Sequence, residues 1–397
     1  MTTKKTIRVG LVVPHIFMHR DILPRVIFSP GSLALELSEG LRELGAHVTL
    51  FTPGPVDTSV HNMTADLSYF EQELVGRGDT YLDLLKKHPF TFVTLARQVQ
   101  SEIIAIAYEM ANRDELDIVH IYANEEDIAL PFAKLCKKPV IFTHHDPFNF
   151  LVKYKSVFPK YKDLNWLSMS YAQRASMPDD TNWAANIYHG LDMSEYRPLD
   201  NPTSDYIAYL GRIIEPKGVH LAIKAVKSFN QTAEKPIKLK IAGKHYGGHT
   251  KDTYWTAQIE PELDESIEYV GFIDSTAAKR EFLGNAKALM IPSTFEEPFG
   301  MVMIESLACG TPLIGLDSGA IPEVITNNNG ILVAKTTSVD ETGKIVINGT
   351  ETANALRSAI QHVDRIDRKQ ARDDFEARFT SDRMYAEHLA IYDRLTQ

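Results

Sequence analysis

Apolar stretches alternate with amphipathic ones along the first half of the chain. The segment "TIRVGLVVP" (6–14) is β-branched and almost continuously apolar, which predicts a buried strand. Apolar residues then recur at mostly helical spacing through 32–46, where Gly45 provides a stop signal, and "HVTLFTP" (47–53) predicts the next strand. A β-α-β unit of this length favours a parallel sheet with right-handed crossovers.

The same alternation continues to about residue 199 and then begins again. Further strands are predicted at 117–123, 139–145, 206–212, 237–243, 267–273, 288–293, 312–317 and 330–335. Helices are predicted around 94–112, 126–136, 217–229 and 300–309, whereas 54–90 is less regular. The stretch 183–202 runs from a strand-like piece into Gly, Asp and Pro and is typical of a linker. The pattern predicts two doubly wound α/β domains, with ligands beyond the carboxyl ends of the strands, in the cleft between the halves.

Composition narrows the class of protein. The 397 residues suffice for two globular domains, and 44% of them are hydrophobic. A net charge of −10, spread over both halves, excludes the cationic footprint that sequence-independent nucleic-acid binding needs. Two cysteines exclude a disulfide framework, and no apolar run approaches the roughly 20 residues that span a bilayer. We therefore expect a cytoplasmic protein, and its oligomeric state is not indicated.

The stretch "FEEPFGMVMIESLACGTP" (295–312) combines a helix start with two acids. A helix that begins at about Gly300 has free N–H groups and the positive end of its dipole there, which favours a phosphate. Glu305 lies within the first two turns, close enough to bond a polyol such as a ribose, and Glu297 lies ahead of the helix. By themselves these acids could also be a cap and an exposed side chain.

Together with the preceding Pro-Ser and the following Thr-Pro, this stretch resembles the signature of retaining glycosyltransferases of family 4, within glycosyl transferases group 1. Other matching segments are "SPGSLALEL" (29–37), "IYHGLD" (187–192), "GRIIEPKG" (211–218), "VGFID" (270–274) and the C-terminal 379–395. The resemblance implies the GT-B fold, with two Rossmann-like domains facing a cleft. The acceptor-side domain would comprise 1–199 with a returning helix at about 380–397, and the nucleotide-sugar domain 200–379.

The resemblance also implies a role for individual residues of the second domain. Arg212 and Lys217 would stabilise the charge of a leaving diphosphate, so no metal and no further cofactor is expected. Glu297 would meet hydroxyls of the donor sugar and Glu305 those of the ribose. The backbone contacts to donor sugar, phosphate and base would come from Gly243, Ile273, Phe299, Gly300, Met301 and Val302. Gly243 is the weaker assignment, since "GKHYGG" lacks the family's common Gly-x-Gly.

Two positions in the first domain complete the predicted site. Gly31, in a loop where the family often has a Gly-Gly pair, would bring a backbone N–H to the diphosphate. In "IFTHHD" (141–146), the resemblance assigns His145 to the transferred sugar. His144 stays the alternative, because neighbours on a strand face opposite ways. His120 is as consistent with a structural role as with a functional one.

The expected function is transfer of a hexosyl unit, with retention, from a nucleotide diphosphate sugar to an unidentified acceptor hydroxyl, with a UDP-sugar favoured. A sugar phosphorylase, a GT-B epimerase and a non-catalytic sugar-nucleotide-binding protein are the rivals. The segment "FLVKYKSVFPKYKD" (150–163) carries four lysines among aromatic residues. A solvated lysine face is its favoured interpretation, while an acidic acceptor or anionic lipid remains an alternative.

Overall fold

The structure is a computed structural model that describes residues 6–122, 124–246, 253–339 and 345–397. Its strands are β1 (Arg8–Val12), β2 (His47–Thr52), β3 (His61–Thr64), β4 (Ile118–Tyr122), β5 (Val140–Thr143), β6 (Asn165–Ser168), β7 (Trp183–Asn186), β8 (Tyr206–Leu210), β9 (Lys238–Ala242), β10 (Ile267–Gly271), β11 (Ala288–Ile291), β12 (Leu313–Leu316), β13 (Gly330–Val333), β14 (Thr337–Val339) and β15 (Ile345–Ile347). Its helices are α1 (Ser29–Glu43), α2 (Ser68–Arg77), α3 (Tyr81–Lys87), α4 (Pro89–Asn112), α5 (Glu126–Ala129), α6 (Val152–Val157), α7 (Val219–Asn230), α8 (Thr276–Gly284), α9 (Met301–Ala308), α10 (Ile321–Val324), α11 (Gly349–His362), α12 (Arg368–Arg378) and α13 (Ser381–Thr396).

The chain forms two compact units. The first comprises the chain up to Met169 together with Arg174–Ile187 and Asp382–Gln397, and the second comprises Ser170–Gln173 and Tyr188–Ser381. The chain thus enters the second unit at Tyr188, earlier than the boundary predicted near residue 199. The reason is that the Tyr188 hydroxyl donates to Glu323 over 2.9 Å, inside the second unit.

The first unit is built on a parallel sheet of seven strands in the order β3-β2-β1-β4-β5-β6-β7. The predicted strands are confirmed, with ends trimmed by one or two residues. β3 and β6 were not predicted, since each has four residues and β3 ("HNMT") is a half-exposed edge strand without an apolar run. The large buried side chains of this core include Phe51, Phe70, Phe142, Phe158 and Trp166.

Three helices of the first unit differ from their predicted limits, and proline explains each. α4 begins at Pro89 rather than at about residue 94, with the proline in the first turn. α1 begins at Ser29 rather than Ser32, because Pro30 fits the first helical turn, where an N–H group has no partner. It ends before Gly45, which adopts φ +91° as the stop signal predicted. The helix predicted at 126–136 is the short α5 followed by a 3₁₀ segment, Leu130–Leu135, because Pro131 lacks the N–H group that an α-helix would use.

The C-terminal helix α13 packs into the first unit through a buried polar cluster. His120 is fully buried, with Nδ1 2.6 Å from the Tyr392 hydroxyl and Nε2 2.8 Å from Thr143 Oγ1. The His388 ring stacks on His120 at a centroid distance of 5.9 Å. These contacts favour the structural interpretation of His120.

The second unit is a parallel sheet of six strands in the order β10-β9-β8-β11-β12-β13, with β14 and β15 forming a separate antiparallel pair. The six strands agree with the predicted ones. In both sheets the strand order reverses beside the first strand of the unit, and loops that follow the central strands are where ligands bind in such sheets. No helix in the described part of the chain is both long and apolar enough to cross a membrane.

Candidate active site

The loops that follow β8 and β11 are joined at the carboxyl edge of the second sheet. The Pro216 carbonyl accepts N–H bonds from Thr294 (2.9 Å) and Phe295 (3.1 Å). Gly218 adopts φ +72°, and a Cβ there would lie 1.9 Å from the Pro292 carbonyl oxygen. Only glycine permits this close approach, which sets the relative position of the two loops.

This junction brings Lys217 and Glu297 together, although 80 positions separate them. Lys217 Nζ donates to Glu297 Oε1 over 2.5 Å, and Ser293 Oγ donates to the same oxygen over 2.8 Å. Glu297 is only 7% exposed, and a Cβ on Gly319 would meet its backbone nitrogen at 2.3 Å. Glu297 is therefore an oriented, ion-paired carboxylate rather than a simple helix cap.

The amino end of α9 presents backbone donors. Gly300 is the N-cap with φ +95°, and the helix runs on from Met301 into the buried core. Among the described residues, no hydrogen-bond acceptor is found for the N–H groups of Phe299, Gly300, Met301 and Val302. Unsatisfied N–H groups at the positive end of a helix dipole form a ready anion-binding site.

The side chain of Phe299 has a different role from its backbone. It is 1% exposed and lies among aromatic rings, with centroid distances of 5.9 Å to Tyr188, 5.1 Å to His189 and 6.1 Å to Phe379. The Ser170 hydroxyl also donates to the Pro298 carbonyl over 2.6 Å. These contacts fix the loop that carries Glu297, so Phe299 can offer a ligand its N–H group alone.

Glu305 is buried rather than exposed at the start of the helix. It is 7% exposed, and its Oε1 accepts bonds from the Tyr196 hydroxyl and from Lys279 Nζ, both over 2.9 Å. Burial, together with the neighbouring carboxylate, raises the pKa of Tyr196 above its ordinary value, so the hydroxyl stays a donor. Within the described residues Oε2 has no partner, which leaves one oxygen for a ligand hydroxyl.

Arg212 lies exposed in the loop after β8 and forms no ion pair with any described residue. Its carbonyl accepts the Tyr209 hydroxyl over 2.8 Å, so the loop is fixed while the guanidinium extends outward. The loop thus carries one engaged cation, Lys217, and one cation open to an anionic ligand.

Gly243 and Ile273 follow β9 and β10 and differ in what they can offer. The Gly243 N–H donates to the Gly271 carbonyl (2.9 Å), and its carbonyl accepts the Tyr269 hydroxyl (2.9 Å). A Cβ on Gly243 would lie 1.8 Å from the Gly211 carbonyl oxygen, so packing between loops accounts for this glycine. The backbone groups of Ile273, by contrast, have no partner in the described part of the chain.

The first unit contains the remaining predicted residues. Gly31 is buried and its N–H donates to the Phe28 carbonyl over 3.0 Å, so this donor is already engaged. His144 is fully buried, with Nδ1 3.0 Å from Glu126 Oε2. His145 is half-buried beside Tyr122, edge to face at 4.6 Å. Of the two histidines, His145 is thus the one that reaches the surface.

Comparison with known proteins shows which family the residues around this site resemble. Residues 196–361, which include both glutamates, Arg212 and Lys217, match the family described as glycosyl transferases group 1. The matched residues, which lie within the second unit, belong to glycosyl transferases group 1. It has 22% identity over 344 residues to a phosphatidyl-myo-inositol mannosyltransferase of Propionibacterium freudenreichii, covering 82% of this chain and 81% of the relative. A glycogen synthase of Mycobacterium tuberculosis is 32% identical over 146 residues, which cover 36% of this chain and 33% of that protein.

Solved structures show the fold of the chain. A sucrose-phosphate synthase from Thermosynechococcus elongatus superposes with a TM-score of 0.69 at 18% identity, covering 98% of this chain and 99% of that one. Anabaena HepE in complex with UDP and glucose gives a TM-score of 0.63 at 16% identity, with coverage of 97% and 99%. The two Rossmann-like units are therefore those of the GT-B fold.

The sequence analysis did not identify three residues whose side chains hydrogen-bond to Glu297 or Glu305. Ser293 stood in the recognised Pro-Ser but was given no role. Tyr196 lies in the segment interpreted as a linker, and Lys279 lies in α8, a helix that was not predicted. No sequence pattern indicates Tyr196 or Lys279, because both residues are remote from Glu305 in the chain and bond to it only in the folded protein.

We expect Glu305→Gln to weaken donor binding while leaving turnover nearly unchanged. The glutamine amide cannot accept the bonds from Tyr196 and Lys279 and still offer the donor a charged oxygen. A hydrogen bond to a charged group contributes about 1.5–3 kcal/mol, so we expect the KM for the donor to rise roughly 10- to 100-fold. Initial-rate kinetics and calorimetric titration with the nucleoside diphosphate measure both quantities. Glu296→Gln is the control, since Glu296 is exposed and pairs with Lys335. An unchanged affinity in Glu305→Gln would remove Glu305 from the donor site.

Proposed function

We propose that this protein transfers a hexosyl unit from a nucleotide diphosphate sugar to an acceptor hydroxyl, with retention of configuration and without a metal. The observation that carries the proposal is the row of N–H groups from Phe299 to Val302, next to the Lys217–Glu297 pair in the same unit. When the glycosidic bond breaks, negative charge accumulates on the leaving diphosphate. Fixed N–H donors and cations stabilise that charge more in the transition state than in the ground state.

The proposed contacts to the donor involve Glu305, Ile273, Glu297 and His145. The Oε2 atom of Glu305 would accept a ribose hydroxyl, and the backbone of Ile273 would meet the base. Glu297 would meet hydroxyls of the sugar, and His145 in the first unit would hydrogen-bond the transferred sugar. We favour a UDP-sugar as donor, because Anabaena HepE, a protein of the same fold, has been solved with UDP and with UDP-glucose.

Retention is proposed from the resemblance to retaining glycosyltransferases of family 4, and hydrolysis is disfavoured because neither glutamate is set up as a glycosidase acid or nucleophile. Glycosidases need two carboxyl groups flanking the scissile bond at defined separations. Here Glu305 accepts two bonds through one oxygen, and Glu297 is held by a lysine and a serine. We propose that the leaving diphosphate oxygen itself guides the acceptor in on the same face. The cations Arg212 and Lys217 would supply the positive charge that a metal provides elsewhere.

The direct test is a thermal-shift panel of UDP-, GDP- and ADP-sugars, followed by a transfer assay. A saturating donor at 100 times its dissociation constant should add about 2.7 kcal/mol of stability, and we expect the UDP-sugars to give the largest shift. Turnover with the best donor should persist in excess EDTA, and NMR of the product should show the anomeric configuration of the donor. If no nucleotide sugar shifted the melting temperature, the donor site would be refuted.

A second incubation distinguishes a sugar phosphorylase on this scaffold from the proposed transferase. Orthophosphate can occupy the N–H groups at α9, so disaccharides are incubated with orthophosphate and no nucleotide. Release of a sugar phosphate under these conditions would replace the transferase proposal. A non-catalytic binder would show the thermal shift without any transfer or hydrolysis of the donor.

A further inference from the structure

One face of the first unit is a layer of three connections between strands. α4 leads into β4, the segment Glu126–Leu135 joins β4 to β5, and Val152–Tyr161 joins β5 to β6. The strands are parallel and follow one another in one direction across the sheet, so right-handed crossovers place all three connections on the same face. Ion pairs link them, since Glu125 and Asp127 bind Arg97 of α4 and Lys153 of α6. We call this surface the α4–α6 layer.

The α4–α6 layer and the loop entering it expose an unusual number of large apolar side chains. Phe90 is 85% exposed, Val152 82% and Leu135 70%. The others are Val93, Phe132, Phe150 and Leu151. Between α4 and the following 3₁₀ segment lies an apolar groove of about 500 Å³, lined among others by Ile104, Ala105, Tyr108, Ile128, Phe132 and Leu135. Exposed apolar side chains clustered in this way are typical of an interaction surface, whereas single exposed apolar residues occur on any protein surface.

The charge of this part of the chain is opposite to that of the whole. From 128 to 162 there are seven lysines and one acid, Asp146, but four more acids border this stretch, so residues 125–163 have a balance of +2 in a chain whose formal net charge is −10. Three of the lysines pair with acids outside 128–162, at Asp114, Asp127 and Asp180. The four that form no ion pair with a described residue are Lys134, Lys137, Lys155 and Lys160, and all four are exposed.

We propose that the α4–α6 layer docks on the surface of an anionic lipid bilayer. Phe90 and Val152 protrude from the surface, so they can enter the headgroup region without any change in the fold. Lys155 lies one turn after Val152 on α6, and Lys134 and Lys137 flank Leu135 in the chain. The long stems of these lysines allow the ammonium groups to remain at phosphate level. The lysine face that the sequence interpretation left to solvent is thus continuous with an apolar surface. This inference does not depend on the proposed transferase activity.

The test is co-sedimentation of the full-length protein with vesicles of phosphatidylcholine, with or without added phosphatidylglycerol. We expect binding to the anionic vesicles, weakened by raised ionic strength, and little binding to phosphatidylcholine alone. The double variant Lys155→Gln/Lys160→Gln should lower the partition coefficient about 25-fold, at roughly fivefold per lysine near an anionic surface. Val152→Ser should lower it about tenfold by removing one apolar side chain from the interface.

Matched controls come from elsewhere in the chain. Val75 on α2 is also 82% exposed, so Val75→Ser tests whether any exposed valine has the effect. Lys224→Gln/Lys235→Gln removes two exposed lysines of the second unit. Normal binding by both controls supports the assignment to the α4–α6 layer. The proposal would be overturned if the protein did not bind anionic vesicles, or if all variants bound them equally. It would also be overturned by a dimer in sedimentation velocity that Leu135→Ser dissociates, because a second copy of the chain would then cover this face.

Discussion

Replacing Lys217 with alanine is expected to lower kcat by two to three orders of magnitude, while the dissociation constant of the donor changes only a few-fold. The ammonium group, 2.5 Å from Glu297, can stabilise the leaving diphosphate most when its charge has developed. Loss of one such preorganised donor typically costs about 10²–10³ in kcat. Stopped assays of donor turnover and titration with the intact nucleotide sugar separate the two quantities.

Lys335→Ala is the matched control for this variant. The Lys335 and Lys217 side chains are each 20% exposed, and they pair with consecutive glutamates, Glu296 and Glu297. We expect Lys335→Ala to retain kcat within a few-fold, because Glu296 is largely exposed and its loss of a partner costs little. If Lys217→Ala bound the donor weakly but turned over at the wild-type rate, the lysine would serve binding and not the transition state.

Acidification is expected to release the C-terminal helix α13 from the first unit. Burial lowers the pKa of His388 to about 4, and it also holds the pKa of His120 well below the ordinary value. Both side chains are neutral in the folded state, whereas the unfolded chain takes up protons below about pH 6.5. The stability they provide is complete above that pH and falls as the pH decreases towards 4. His388 alone would cost about 2 kcal/mol between pH 7.5 and pH 5.

Hydrogen exchange of the amides of α13 measures this loss locally, after correction for the intrinsic pH dependence of exchange. His388→Leu should reduce the acid-induced loss of protection, since the variant has no proton to take up at that position. His61→Gln is the control, because His61 is exposed on the edge strand β3. If the wild-type helix kept the same protection free energy at both pH values, the buried histidines would not govern its docking.

The prediction of elements worked best where burial and periodicity coincide. The strands of the second sheet are largely apolar and bounded by glycine or proline, so the sequence pattern located all six. Prediction failed for β3, whose "HNMT" pairs at a sheet edge, and for α1, which begins three residues earlier at Ser29. β3 has no apolar run to detect, because none of its four residues is fully buried.

In the candidate site, too, features set by local sequence were predicted and those set by remote contacts were not. Glu297, Glu305 and the helix start at Gly300 could be placed from one segment of sequence, since dipole and capping effects are local. Gly31 and Gly243 were assigned to the donor, but their N–H groups bond to Phe28 and Gly271. Whether a backbone donor is engaged depends on neighbours that are remote in sequence or brought close by a turn.

The sequence alone determined two doubly wound domains, their α/β class and a phosphate-type helix start, because these properties depend on periodicity and on contacts within a few residues. Tertiary structure decided that Lys217 pairs with Glu297, that Tyr196 and Lys279 hold Glu305, and that His144 lies in the core while His145 reaches the surface. It also joined exposed lysines and apolar side chains into the α4–α6 layer. These are contacts between segments far apart in the chain, and only the folding of the sheets brings them within bonding distance.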